Sequence, residues 1–92
     1  MSVNPEAGIL RLTIWWRYNS IGYMLKEGLV GAETVYNFIG PASIQQWDKW
    51  GPNIKEQEER GEMAWHGIYE GFEYLAKEME KVRDRRVIAY KK

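Results

Sequence analysis

The sequence predicts an all-α fold, a compact bundle of three long helices plus one short helix, and three observations predict it. Apolar residues recur at helical spacing in the C-terminal third. Glycines and prolines divide the chain at helix-length intervals, and no strand-like alternation of useful length occurs. With 92 residues the chain makes one domain, 1–92, large enough to take roughly 60% of its unfolded surface out of water.

The first helix is expected over about 5–27. Asn4-Pro5 offers a side-chain cap followed by a ring already set at helical φ, and only Gly8 and Gly22 interrupt the rest of the segment. In "KEGLV", Gly28 is placed to take the left-handed conformation that ends a helix. A short helix, "AETVYNFI" over 32–39, is expected to close at Gly40. Pro41 would then open a third helix, 41–60, with Ile44, Trp47, Trp50 and Ile54 on one face. Gly51-Pro52 predicts a kink or break in it, since an interior proline costs about 3 kcal/mol unless the helix bends.

Gly61 ends that segment, and a fourth helix is expected over 63–87. In "WHGIYEGFEYLAKEMEKV", Trp65, Ile68, Phe72, Leu75, Met79 and Val82 are spaced three, four, three, four, three. They fill the a and d sites of a heptad, while His66, Glu70, Glu73, Lys77, Glu80, Lys81 and Asp84 fall on the outer face. The seam is too short for a free-standing coiled coil and suits one side of a bundle. Gly67 and Gly71 flank it. Each glycine costs roughly 1 kcal/mol against alanine inside a helix, which close approach of a neighbouring helix would offset.

Apolar residues make up 45% of the chain and charged residues 28%, an ordinary globular composition. The absence of cysteine excludes disulfides, thiolate metal sites and cysteine nucleophiles, and fits a reducing cytoplasm. "MSVNPEAG" has neither the basic start nor the apolar core of a secretory signal. The stretch "ILRLTIWWRYNSIGYML" carries Arg11 and Arg17 and is shorter than the roughly 20 apolar residues of a membrane span. The expected location is therefore cytoplasmic.

Charge is balanced but unevenly placed. Residues 55–80 hold eight acids against three bases, net −5, and residues 81–92 hold six bases against Asp84, net +5. The basic tail, with Lys81, Arg83, Arg85, Arg86, Lys91 and Lys92, is read first as complementing the negative end of its own helix. A patch for anionic membrane or nucleic acid is the alternative.

No catalytic or metal site and no cofactor is expected. Glu62, His66, Glu70 and Glu73 would lie along one helix side, yet the di-iron bundle signature needs Glu and His three apart, contributed again by other helices. Ser2, Ser20, Ser43, Thr13 and Thr34 lack the sequence context of an activating base. "GLVGAETVYNFIG" lacks the Gly-Lys-Ser/Thr ending of a phosphate loop. An enzyme is not expected.

The order of signals, "KEGLV", "ETVYNFIG", "WDKWGPNIKEQEERG" and "FEYLAKEME", resembles a widespread prokaryotic family of all-helical domains of unknown function. The similarity covers about residues 9–80, and its most specific marks are Gly28, Gly40, Trp47, Pro52, Ile54, Arg60, Phe72, Glu73 and Leu75. In that family the domain often forms the cytosolic part behind one or two membrane helices. The resemblance implies no catalytic residues. It implies either a free-standing soluble member or one whose membrane link is supplied by a partner.

The first helix carries apolar residues at nearly every angle, from Ile9 and Leu10 to Met24 and Leu25. A helix apolar all round requires burial on all sides, more than three small neighbours supply. The sequence therefore points to a non-enzymatic association domain, most simply a two-fold homodimer, with an unidentified protein partner as the other occupant. Trp15, Trp16 and Tyr23 are the expected anchors. Trp47, Trp50, Trp65, Phe72 and Leu75 are assigned to the core.

Overall fold

A computed structural model describes residues 5–63 and 67–91, with side chains described from 12 to 63 and from 67 to 90. Three helices form: α1, Pro5–Lys26; α2, Ala32–Glu59; and α3, Glu70–Lys91. No strand occurs among the described residues. Pro5 opens α1 as expected; the cap assigned to Asn4 lies outside the described residues.

The turns after α1 and α2 are built alike. Gly28 (φ 77°) and Gly61 (φ 71°) take the left-handed conformation. The following amides reach back six-to-one, Leu29 N–H to the Met24 carbonyl and Glu62 N–H to the Gln57 carbonyl, both at 2.9 Å. Each glycine amide makes the inner bond, at 3.1 Å to Leu25 and to Glu58. Together these bonds pair carbonyls that the helix ends leave open.

The expected short helix and third helix are one helix. α2 runs unbroken through Pro41 and Pro52. The reason lies in the residue before each proline. A preceding side chain normally clashes with the proline ring in helical geometry, and here both preceding residues are glycines without a Cβ. The space they leave is filled from one turn back. A Cβ at Gly40 would lie 2.3 Å from the Tyr36 ring, and one at Gly51 would lie 2.8 Å from the Trp47 ring. Aromatic-x-x-x-Gly-Pro therefore occurs twice, eleven residues apart, which is three helical turns.

α3 begins at Glu70 and not near 63, because Gly67 (φ 81°) sits in a turn that helical geometry does not allow. Gly67 is thus a turn residue, not a seam residue. The helix also continues past 87, since no glycine or proline follows Gly71 to stop it. The heptad reading of its inner face holds: Phe72, Leu75, Met79 and Val82 are all fully buried. Trp65 lies outside the described residues.

α3 is the hub. α1 and α2 each pack along it, and they touch one another only weakly. α2 runs antiparallel to α3, tied at one end by Lys55–Glu73 (2.9 Å) and at the other by Arg86–Glu33 (2.8 Å). Two apolar clusters line the helices. Trp15, Ile54, Tyr69 and Phe72 form one, and Val35, Ile44, Leu75, Met79 and Val82 form the other. Trp47 and Trp50 are half-buried against the first. The bundle is compact in cross-section, 28 × 22 Å, and drawn out to 51 Å in length.

Candidate interaction surface

The surface of α1 divides into a side that α3 closes and a side left open. On the closed side Asn19 is 1% exposed. Its Oδ1 accepts from the Phe72 amide and its Nδ2 donates to the Ile68 carbonyl, both at 2.9 Å. Asn19 thereby caps the first turn of α3 from a neighbouring helix, satisfying an amide that has no partner within its own helix. Beside it Gly22 meets Gly71 so closely that a Cβ on Gly22 would lie 1.7 Å from the Gly71 carbonyl oxygen. A Cβ on Gly71 would lie 2.2 Å from the Asn19 carbonyl oxygen and 2.9 Å from the Tyr23 ring. The close approach expected at Gly71 is present, and Gly22 is its other half.

The three expected anchors separate. Trp15 is not a surface anchor: it is 3% exposed and packed in the core, 5.6 Å from both Trp50 and Tyr69 between ring centroids. Its direction on α1 turns it into the wedge between α2 and the start of α3. Trp16, one residue on, points outward and is 49% exposed, edge-on to Tyr69. Tyr23 is only just exposed, because its ring lies over Gly71.

The open side holds residues that the sequence reading missed. Where α1 and α2 fail to close, two adjoining depressions form a groove. One, of about 210 Å³, is lined by Ile14, Arg17, Tyr18, Ile21 and Ile39. The next, of about 250 Å³, shares Ile21 and Ile39 and adds Met24, Val30, Thr34, Val35 and Phe38. Phe38 stands at the rim, 81% exposed, and Met24 is 40% exposed. A legible signal existed for Phe38, whose neighbours one turn away, Thr34, Pro41 and Ala42, place it off the stripe of Val35 and Ile39. Further round α1, Leu12, Thr13, Trp16, Arg17 and Tyr69 line a shallow surface of about 520 Å³.

The basic segment is largely engaged by its own chain. Arg86 donates to Glu33 and to Asn37, each at 2.8 Å, and lies 4.5 Å above the Tyr36 ring. Arg85 also reaches Glu33, Arg83 pairs with Asp84 and Lys81 with Glu78. The hydrogen bond from Arg86, with help from Arg85, holds the Glu33 carboxyl below the usual glutamate range. Beyond these pairs the tip of α3 exposes Val87, Ile88 and Tyr90. The Lys91 side chain and Lys92 lie outside the described residues.

At the other end, burial pushes the Glu73 carboxyl up, but the Lys55 hydrogen bond and the charges of Lys55 and Lys77 outweigh it and hold it low. The expected Glu73–Lys77 pair is present at 3.4 Å. The stripe considered for a metal is not assembled as a helix, since α3 starts only at Glu70, and His66 lies outside the described residues. Among the described residues no three acidic or imidazole groups converge. No described helix is long and apolar enough to cross a membrane. No family model, curated protein or solved structure matches the chain.

Proposed function

We propose that the chain is a non-enzymatic association domain that works by covering the open α1–α2 face with another protein surface. The observation that carries this reading is the continuous apolar groove from Ile14 to Val30, with Met24 and Phe38 exposed at its edge. Among the described residues lining it, Arg17 is the only charged one. Apolar grooves between helices are the standard receptor for an amphipathic helix. Large exposed aromatic residues at such a rim are the usual source of binding energy.

The test is capture. A tagged wild-type chain and a Met24→Asp/Phe38→Asp variant are incubated with a second, differently tagged copy and with extract of the native cell. Capture by wild type and loss in a variant of unchanged helicity supports the reading. Capture by neither, or equal capture by both, contradicts it.

A second reading rests on the α3 tip, where Val87, Ile88 and Tyr90 stand exposed among arginines. A basic tip with apolar residues suits an anionic membrane surface. Glu33 weakens it by pairing with Arg85 and Arg86 and cancelling one of their two charges. Binding to vesicles of anionic lipid that vanishes on truncation after Glu80 would favour this second reading.

A further inference from the structure

Arg17 restricts what the groove can hold. On α1, Ile14, Arg17, Ile21 and Met24 are spaced three, four and three, so they form one stripe along the groove wall with a cation inside it. Arg17 is exposed, and among the described residues no carboxylate lines the groove or pairs with this guanidinium. Any surface laid over Ile14 and Ile21 takes the charge between them largely out of water. A guanidinium covered without an acceptor opposes binding, whereas one met by a carboxylate forms a charge-assisted, two-pronged hydrogen bond. The occupant has to bring the acid.

The opposite wall is positive as well. Arg86 lies on Tyr36 and Asn37, beside Phe38, and together with Arg85 it faces the single carboxylate of Glu33, two charges against one. Along α1 from Ala7 to Lys26 the chain holds Arg11, Arg17 and Lys26 and no acid. The groove therefore has an apolar floor with unmatched positive charge on both sides. Its length suits a helix: Ile14 and Met24 are ten residues apart on α1, about 15 Å, which three turns of a bound helix would span. The chain's own acids do not supply this occupant. Most of them fall between Glu56 and Glu80, beside Phe72, Leu75 and Met79, and those apolar residues are already fully buried in its own core.

From these observations we infer that the groove receives an acidic amphipathic helix of a different protein. Its apolar face fills the space between Ile21, Met24, Phe38 and Ile39, and a carboxylate at the edge of that face meets Arg17. Concave apolar grooves between helices receive such segments, and the flanking charge selects among them. This inference rests on the association reading above and adds to it the shape and charge of the partner.

Peptide titration tests it. A dye-labelled synthetic helix of about 15 residues, with leucine along one face and glutamate along its edges, is titrated with the full chain beside the same peptide carrying lysine for glutamate. The glutamate peptide should bind at least about tenfold more tightly, by a margin that narrows as salt rises. At unchanged helicity, Arg17→Gln should cut that preference about threefold or more, and Arg17→Glu should remove it. Met24→Asp/Phe38→Asp should lose both peptides. Equal binding of the two peptides, binding of neither, or a preference that survives Arg17→Glu overturns the inference. So does binding to vesicles of anionic lipid that is lost in Arg17→Glu and in Phe38→Asp while neither peptide binds, since a membrane then covers this face. Capture from cell extract that depends on Met24 and Phe38, without preference for the glutamate peptide, overturns the acidic partner and leaves the association reading standing. Loss of that capture as well overturns both.

Discussion

Where it crosses α3, helix α1 presents Asn19 and Gly22, with Trp15 and Tyr18 packed on Tyr69 and Phe72 beside them; facing the gap to α2 it presents Ile14, Ile21 and Met24. At the crossing itself Asn19 and Gly22 are small, and they make backbone-to-backbone contact with a shared hydrogen-bonded cap. The gap-facing set is large and apolar, and it ends in an unfilled groove. The small residues let α1 approach α3 to backbone contact. The large side contributes area that the chain itself leaves uncovered. Substitutions on the first side should therefore act on folding, and substitutions on the second on association.

The largest effect is expected from Gly22→Leu. Its side chain would collide with the Gly71 backbone, which has no freedom to move aside. Stability should fall by at least about 3 kcal/mol, out of the roughly 5–15 kcal/mol that holds a small domain folded. Thermal unfolding measures it. An unchanged midpoint would show that the two helices are not in backbone contact.

Asn19→Ala comes next. It leaves the buried Phe72 amide and Ile68 carbonyl without their partner, at a cost of about 2–3 kcal/mol in urea unfolding. A loss under 1 kcal/mol would mean that water replaces the cap.

A smaller effect follows acidification. The folded-state values of Glu33 and Glu73 both lie below the ordinary one. Their ion pairs therefore add stability above the ordinary glutamate value of about 4.3, and that stability is lost as pH falls through the lower folded values. The Lys55 ammonium is held charged by its hydrogen bond to Glu73, so its share disappears only in strong alkali, above the ordinary lysine value of about 10.4. Both partners of the Lys55–Glu73 bridge remain partly in solvent, so the acid-side loss should stay below about 1 kcal/mol. Glu73→Gln should flatten the unfolding midpoint against pH between about 3 and 5. An unaltered profile would place the acid sensitivity elsewhere.

The sequence made the α3 seam legible because four buried residues repeat at heptad spacing on one face. It also made both helix stops legible, since Gly28 follows Lys26-Glu27 and Gly61 follows Glu59-Arg60, each a glycine directly after a charged pair. The continuity of α2 was hidden because proline was weighed without its preceding glycine. Tyr36-x-x-x-Gly40-Pro41 and Trp47-x-x-x-Gly51-Pro52 carried that information as a repeat. Asn19 and Gly22 read as weak helix formers in an apolar helix, and only the position of α3 reveals what they do. The open face was legible in amount but not in place. An excess of apolar residues on α1 is countable, whereas which of them α3 covers depends on the Gly22–Gly71 crossing, and that crossing turned Trp15 inward.

The smallest effect on folding is expected where the effect on association is greatest. Phe38→Asp should change the stability of the single chain by no more than about 0.5 kcal/mol, because the ring touches mainly solvent in one copy.

Radical footprinting of the free and the partner-bound chain tests the central claim most directly. Met79 is wholly buried in α3's seam, while Met24 and Phe38 stand on the open face, so one chain holds both the probe and its control. With the captured partner bound all three should resist oxidation, and in the free chain Met24 and Phe38 should become reactive while Met79 stays protected. Equal reactivity of Met24 and Phe38 with and without the partner would contradict the claim that another protein surface covers this face.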